Sequence, residues 1–514
     1  MHNNILKRLK RCAVFIGALL LVGCAGPKQM TKDKTTGTTT GPVDTTTTAV
    51  TSPVLPAKDF RGVWMATVGN IDWPDRYTSS AAEIERQKQY YERCLDTLQV
   101  HHINAILFQV RPMADAFYAS PYEPWTKYLS GERGRDPGWD PLPWLISQTH
   151  KRGMQFHAWI NPYRIAARKS RTQQYPALES TIPAAWTKTY RFVRIYNPAL
   201  PEVRQRIADI VADLLRRYNV DGIHFDDYFY PALERGESMN DKAEYRRYGH
   251  GMSLDDFRRA NVDSMILKVR QTIQSVRPNC LFSVSPQGNY DNDYRVMYCD
   301  VKKWSRKGWV DVLIPQLYWS TERYFTPRLK QFADLSKDSK LMVGYGLYRF
   351  GEKAASSYYR TNADLQAQFD TAYANPKVMG SVLYSERWMM TNPVNLNAVI
   401  AKQFDRLTLP PYLGHQPMVR PAAPQQVQAD GLRLSWSAVP NCYYAVYQSH
   451  GHGKEATLVS ITYDTSAQVP AAGDYFVTAL TLGLNAESEV SAIVRCSPTP
   501  ARQGARLPPP NGEG

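Results

Sequence analysis

The sequence predicts a (β/α)₈ barrel followed by a small all-β sandwich, and three observations carry that prediction. Apolar, β-rich runs alternate with helical patterns, the alternation repeats eight times, and beyond about Leu409 short alternating strands replace it. Repeated strand–helix units specify parallel strands buried on both faces, which read as continuous apolar runs. An open doubly wound sheet is the competing layout, but it calls for a Gly-rich phosphate turn after the first strand, and none is present.

The N-terminus comes before the fold. Basic "KRLKR" precedes apolar "CAVFIGALLLVG", which is shorter than the roughly 20 residues of a membrane span. "LVGC", Leu21 to Cys24, resembles the lipobox of bacterial lipoproteins. Residues 1–23 then form a signal peptide, and Cys24 becomes a lipidated N-terminus that holds the chain on the bacterial envelope membrane. Ala25 in place of Asp favours the outer membrane if the cell is Gram-negative. Residues 24–57, with "TTGTTTGPVDTTTT", have little to bury and form a flexible tether.

The barrel is expected over 58–409. Its eight strand candidates are "RGVWMATV", "INAILFQVR", "MQFHAWIN", "DGIHFDD", "CLFSVSP", "VDVLIPQLYW", "LMVGYGLY" and "GSVLYSERW". Between them "AAEIERQKQYYERCLDTLQV", "PEVRQRIADIVADLLRRYNV" and "LDDFRRANVDSMILKVRQTIQ" place apolar residues three and four apart, as amphipathic helices do. Over 417–497, Trp436, "YYAVY" and "GDYFVTAL" resemble a fibronectin type III domain, and 498–514 is a Pro/Arg tail.

Composition narrows the function classes. The net charge is +15, and removing Lys7, Arg8, Lys10 and Arg11 with the leader leaves 15 − 4 = +11. That favours polyanions, and with no nucleic-acid motif beside it nucleic acid is excluded as the partner. Twelve Trp and 32 Tyr supply flat surfaces suited to sugar rings. Of seven cysteines, five remain after Cys12 and Cys24 are set aside, with no C-x-x-C spacing, so no metal and no cofactor is expected. An exported chain permits a disulfide among the five, but their spacing assigns none.

Barrel enzymes place their chemistry at the C-terminal ends of the strands, and here those ends are polar. They offer Gln109 and Arg111, then His157, Trp159 and Asn161, then His224, Asp226 and Tyr228, then Gln316 and Tyr318, then Tyr384 and Glu386. Side chains two apart share a strand face, so apolar Ile223 and Phe225 point outward while His224, Asp226 and Tyr228 point into the mouth. Asp226 is the expected catalyst; Asp227 leaves the strand on the other side and supports it or caps the next element. Glycosidic hydrolysis usually needs a second carboxylate. Glu386, which parity turns inward, is one candidate, and Asp115 and Glu123 in the long loop "RPMADAFYASPYEPW" are two more. Alternatively one acid suffices where the substrate's own N-acetyl group attacks. Trp125 and Trp159 are candidate sugar platforms, and the two histidines are expected as barrel-mouth hydrogen-bonding groups.

Six motifs in order, "FRGVWMATV", "INAILFQVRPMADAFYASPYEPW", "WDPLPWLISQTHKRGMQFHAWINPYR", "NPALPEVRQRI", "VDGIHFDDYFYP" and "LIPQLYW", resemble the glycosyl hydrolase-like family ten group of bacterial envelope proteins. The likeness spans about Phe60 to Asp405. It implies a (β/α)₈ glycoside hydrolase acting on peptidoglycan glycan strands whose stem peptides have been removed. It also implies that Asp226 and Asp227 are catalytic and that Gln109, Arg111, Asn161 and Gln316 are ligands. Two other readings stay open: a hydrolase of dietary or capsular polysaccharide, and a glycan-binding lipoprotein without turnover.

Overall fold

A computed structural model describes residues 52–77, 80–351 and 361–498. The leader, Cys24, most of the tether and most of the tail lie outside the described residues. Eight parallel strands close a barrel: β1 (Phe60–Met65), β2 (Ala105–Arg111), β3 (Gln155–Ile160), β4 (Gly222–Phe225), β5 (Leu281–Val284), β6 (Val312–Leu313), β7 (Lys340–Gly346) and β8 (Val378–Tyr384). Each lies within one of the eight expected runs or starts at its margin. Closure is made by β1 on β8, with Phe60 opposite Gly380 and Trp64 opposite Tyr384. The shortest strand, β6, is extended at the mouth by a bridge from Gln316 to Gly344.

Helices α1 (Ala81–Val100), α3 (Pro201–Arg217) and α4 (Leu254–Val276) fall where the three- and four-residue spacing puts them, and α2 (Pro141–Lys151) precedes β3. Their starts are chemically marked. Ser80 and Ser253 accept from the backbone of Glu83 and Asp256, while Asp140 caps Leu142 with proline at the first helical position. Strand parity splits the core in two. Ile106, Phe108, Phe156, Ile223, Phe225 and Phe282 pack outward under the helices. Trp64, Leu107, Trp159, Leu281, Val312 and Val382 fill the barrel interior.

An insertion follows β3. Residues Arg164–Ala167, Thr187–Thr189 and Val193–Tyr196 form a three-stranded antiparallel sheet rising from the mouth. At the C-terminus, sheets of three and four antiparallel strands pack face to face over Leu434, Trp436, Tyr444, Val446, Tyr475 and Val477.

The other face of the four-stranded sheet, with Tyr443, Tyr447, Leu458, Ile461 and Phe476, is also buried, against the N-terminal ends of the barrel strands. Gln155, the first residue of β3, donates to Asn485 Oδ1 at 2.6 Å. Tyr463 stacks on His150 with centroids 3.9 Å apart and donates to Asp221 Oδ1 at 3.4 Å. Gly153, at φ +71°, permits the approach, since a Cβ there would lie 2.8 Å from the Ile461 carbonyl oxygen. The sandwich thus closes the end of the barrel opposite the chemistry. Cys94, Cys280, Cys299, Cys442 and Cys496 are all free thiols, so no disulfide joins these parts.

Candidate active site

Asp226 lies just past the end of β4 on the inward face. It is 2% exposed; Oδ1 accepts the Tyr228 backbone N–H at 3.3 Å, while Oδ2 has no hydrogen-bond partner. Burial and then the adjacent Asp227 charge push its carboxyl up to about 8, against smaller opposing effects of Arg164, the Tyr228 N–H and the Trp159 indole. At pH 7 Asp226 therefore holds a proton, which a general acid requires.

The chain bends after β4 and brings Asp227 back to the mouth. Gln316, from the end of β6, donates to Asp227 Oδ1 at 3.2 Å, and Gln287, past β5, donates to the same carboxylate. Gln287 is itself held by Asn292 at 2.6 Å. Asp227 does not leave on the outer side, and it caps no helix. Its carboxyl is also raised, first by burial, with the two amides opposing.

The walls are aromatic. Tyr228 is 44% exposed beside the acids, and the Arg164 guanidinium lies 4.0 Å from its ring centroid. Across the mouth Tyr318 stacks on Tyr384 at 6.0 Å and meets Tyr348 edge-on at 5.8 Å. Trp159 is nearly buried and forms the floor next to Asp226, not an exposed platform. Trp125 lies away from the acids, in a groove of about 510 Å³ between the loop after β2 and the Asp213 and Arg217 side chains of α3.

Several candidates sit elsewhere than expected. His224 is inside the barrel: Trp64 Nε1 donates to its Nε2 at 3.1 Å and its Nδ1 faces Ser283 Oγ at 2.8 Å. Burial holds it well below the usual histidine range, so it stays neutral. His157 lies lower still, packed on Phe60 and Gly222, and burial lowers it to about 4. Neither histidine is at the mouth.

Arg111 and Glu123 are both fully buried and bind one another through two hydrogen bonds of 2.6 and 2.5 Å. Arg111 also donates to the Asn161 carbonyl, and the pairing raises its own pKa further. Glu123 is thus a structural counter-ion. Asp115 is spent on its loop, accepting from Met113 N at 2.9 Å with Arg133 at 3.7 Å. Gln109 accepts from Thr67 N and Val68 N and donates to Asn161 Oδ1 at 2.8 Å, tying β1, β2 and β3 together beneath the mouth.

Glu386 does not face the cleft. β8 ends at Tyr384, and Glu386 is the first residue of a helix, Glu386–Thr391, that turns it outward toward Cys94 and Tyr90 of α1. It is fully buried, and burial and then the Asp72 charge push it up to about 8, against smaller opposing effects of the Cys94 thiol and Arg387.

The glycosyl hydrolase-like 10 family matches residues 59–366. The chain belongs to this family. Among similar proteins, a Bacillus subtilis (strain 168) glycosyl hydrolase, YngK, is 30% identical over 80% of this chain and 86% of its own. Escherichia coli (strain K12) glycosyl hydrolase DigH is 33% identical over 65% of this chain and 84% of its own. Among solved structures, the PgaB (BpsB) glycoside hydrolase domain from Bordetella bronchiseptica overlays 67% of this chain and 98% of its own, at 12% identity and a TM-score of 0.45.

This glycosyl hydrolase-like 10 protein is therefore a glycoside hydrolase, and its substrate is a glycan. Three cleft residues were missed as site candidates in the sequence, Arg164, Gln287 and Tyr348, while Tyr384 stands where the strand-end reading put it. Arg164 stands in the quoted "NPYR" and Tyr348 closes the expected run "LMVGYGLY", so both carried a signal, although the strand itself ends at Gly346; Gln287 lies in a connection, where strand parity does not reach.

Proposed function

We propose that this protein hydrolyses an amino-sugar polymer, peptidoglycan glycan lacking stem peptides, with Asp226 as proton donor and Asp227 as its ionised neighbour. The observation that carries this is the sorting of the carboxylates. Of the candidates, Glu123 is neutralised by Arg111, Asp115 is engaged in its loop and Glu386 points to α1, which leaves two adjacent acids in the cleft. Adjacent acids suit hydrolysis assisted by the substrate's N-acetyl group. Asp226 would protonate the leaving oxygen, while Asp227, oriented by Gln316 and Gln287, would hold the acetamido N–H and offset the positive charge that develops as its carbonyl oxygen attacks. The tyrosines supply stacking faces.

The envelope location is part of the same proposal, with Cys24 as a lipid anchor on the outer membrane. No helix among the described residues is long and apolar enough to cross a membrane. Val54 hydrogen-bonds to Lys454 and Ala456, so the tether joins the folded part at the sandwich, away from the cleft. The order of the seven sandwich strands supports the fibronectin type III-like reading. The basic surface suits an anionic wall.

The test is digestion of intact and peptide-stripped sacculi, with products weighed by mass spectrometry, alongside the stripped polymer after chemical removal of its N-acetyl groups. Cutting of the stripped, acetylated polymer alone is expected. Equal cutting after deacetylation rules out the assisted mechanism, and cutting only of other polysaccharides rules out the substrate. Membrane release of a Cys24→Ala chain checks the anchor.

A further inference from the structure

Four arginines are buried among the described residues, Arg61, Arg111, Arg164 and Arg258, and none is more than 8% exposed. Withdrawing a guanidinium from water is costly unless an anion accompanies it. Arg61 pairs with Asp59 at 2.8 Å, Arg111 with Glu123 at 2.5 Å and Arg258 with Asp241 at 2.7 Å. Arg164 makes no ion pair with a described residue within 4.0 Å.

Its position is nevertheless fixed. Arg164 Nε donates to the Pro112 carbonyl at 3.2 Å, and the guanidinium lies 4.0 Å from the centroid of the Tyr228 ring. Its charge acts on both cleft acids, lowering Asp226 and Asp227 against the rise that burial causes. Asp226, raised to about 8, holds its proton at neutral pH and so adds no carboxylate charge beside Arg164. Arg164 also opens the insertion that rises from the mouth. Residues 161–200 contain seven basic side chains, Arg164, Arg168, Lys169, Arg171, Lys188, Arg191 and Arg194, and one acid, Glu179. Ala167 pairs with Val193 three residues beyond Arg164, so the tip with Arg168, Lys169 and Arg191 is roughly 10 Å farther out at a strand rise of about 3.3 Å per residue. A net positive wall therefore rises from Arg164 to the tip of the insertion, with Lys188 paired to Glu244 at 2.8 Å.

We propose that Arg164, backed by this wall, is a carboxylate-recognition subsite: it pairs with a carboxylate carried on the sugar polymer and so selects acidic amino-sugar strands over neutral ones. This rests on the reading of the substrate as peptide-stripped glycan. Hydrolysis of the amide that held each stem peptide leaves a free carboxylate on the muramic sugar, whereas a strand that still bears its peptides has an amide there. Arginine fits the task because its planar fork binds a carboxylate through two parallel hydrogen bonds and because stacking on Tyr228 preorganises it.

The experiment compares two substrates made from one preparation: peptide-stripped glycan with free carboxylates, and the same glycan with those carboxylates coupled to methylamine. The full chain in detergent is assayed on both. Amidation is expected to lower kcat/KM by about 10- to 100-fold, mainly through KM, as for a charge-assisted pair in a partly desolvated site. Arg164→Gln should cut both substrates at the low, amidated rate, and Arg164→Lys should restore part of the preference. Equal cutting of both substrates by the unaltered chain overturns the subsite while leaving the hydrolase reading intact. Failure on both, with activity on a neutral N-acetylglucosamine polymer, overturns the two together.

Discussion

Replacing Glu386 by glutamine should stabilise the protein at neutral and alkaline pH without touching turnover. Its carboxyl rises from an ordinary 4.5 to about 8 because it is buried and faces the Asp72 charge, with only the Cys94 thiol and Arg387 opposing. In the unfolded chain the group ionises near pH 4.5; in the fold it keeps its proton until about 8. The folded state thus binds the extra proton between those values, so stability falls as pH rises, by up to about 1.4 kcal/mol per unit. Between pH 6 and 8 this one group accounts for a loss of about 2 kcal/mol. Glutamine removes the titration. The amide has its own unmet hydrogen bonds, which offset the whole curve but not its slope. Asp226, His157 and His224 titrate in both proteins and cancel in the difference. Urea unfolding of the two chains at pH 6, 7 and 8 measures it: the variant should gain about 2 kcal/mol on the native chain across that range. Parallel pH profiles would refute the buried, unpaired carboxyl. Loss of turnover to the level of Asp226→Asn would return Glu386 to the cleft.

Four further outcomes follow from the same structure. With Asp226 as the proposed proton donor, held at about 8, kcat/KM should fall as pH rises through about 8. Asp227→Asn removes the like charge that raises Asp226, so in a pH–rate profile that alkaline limb should move to lower pH; an unmoved limb would separate the two acids electrostatically. Glu123→Gln strands the fully buried Arg111 and should cost about 3–5 kcal/mol in urea unfolding, while the folded fraction keeps its turnover at permissive temperature. Gly153→Ala forces a Cβ toward Ile461 at positive φ and should lower stability by about 1–3 kcal/mol with kcat unchanged, since the strain lies at the sandwich end.

The architecture was legible because barrel strands announce themselves. Each is a continuous apolar run, and all eight runs became strands of one closed sheet. Parity then placed Asp226, because Ile223 and Phe225 are still inside a strand when it applies. Parity gives a face but not a height. His157 points inward as expected yet stands three residues before the end of β3, roughly 10 Å below the mouth at about 3.3 Å per residue. Parity also ends with the strand. Beyond Phe225 the chain bends Asp227 back toward Gln316, and beyond Tyr384 a helix carries Glu386 outward; one residue is gained for the cleft and the other lost.

What a carboxylate faces, more than where it stands in the chain, decides whether it is left for chemistry. Asp115, Glu123, Asp226, Asp227 and Glu386 are all withdrawn from water to some degree, and burial alone would push each toward its neutral form. Glu123 meets a guanidinium in bidentate contact that engages both of its oxygens. Glu386 meets only the weak Cys94 thiol and keeps its proton, but it faces α1 and not the cleft. Asp226 alone combines a retained proton, a free carboxyl oxygen and a place at the mouth, and it owes the first partly to Asp227 next to it. The adjacency in "HFDDY" therefore shapes the proposed acid: after burial, the charge on Asp227 raises the Asp226 carboxyl and helps it keep its proton at neutral pH.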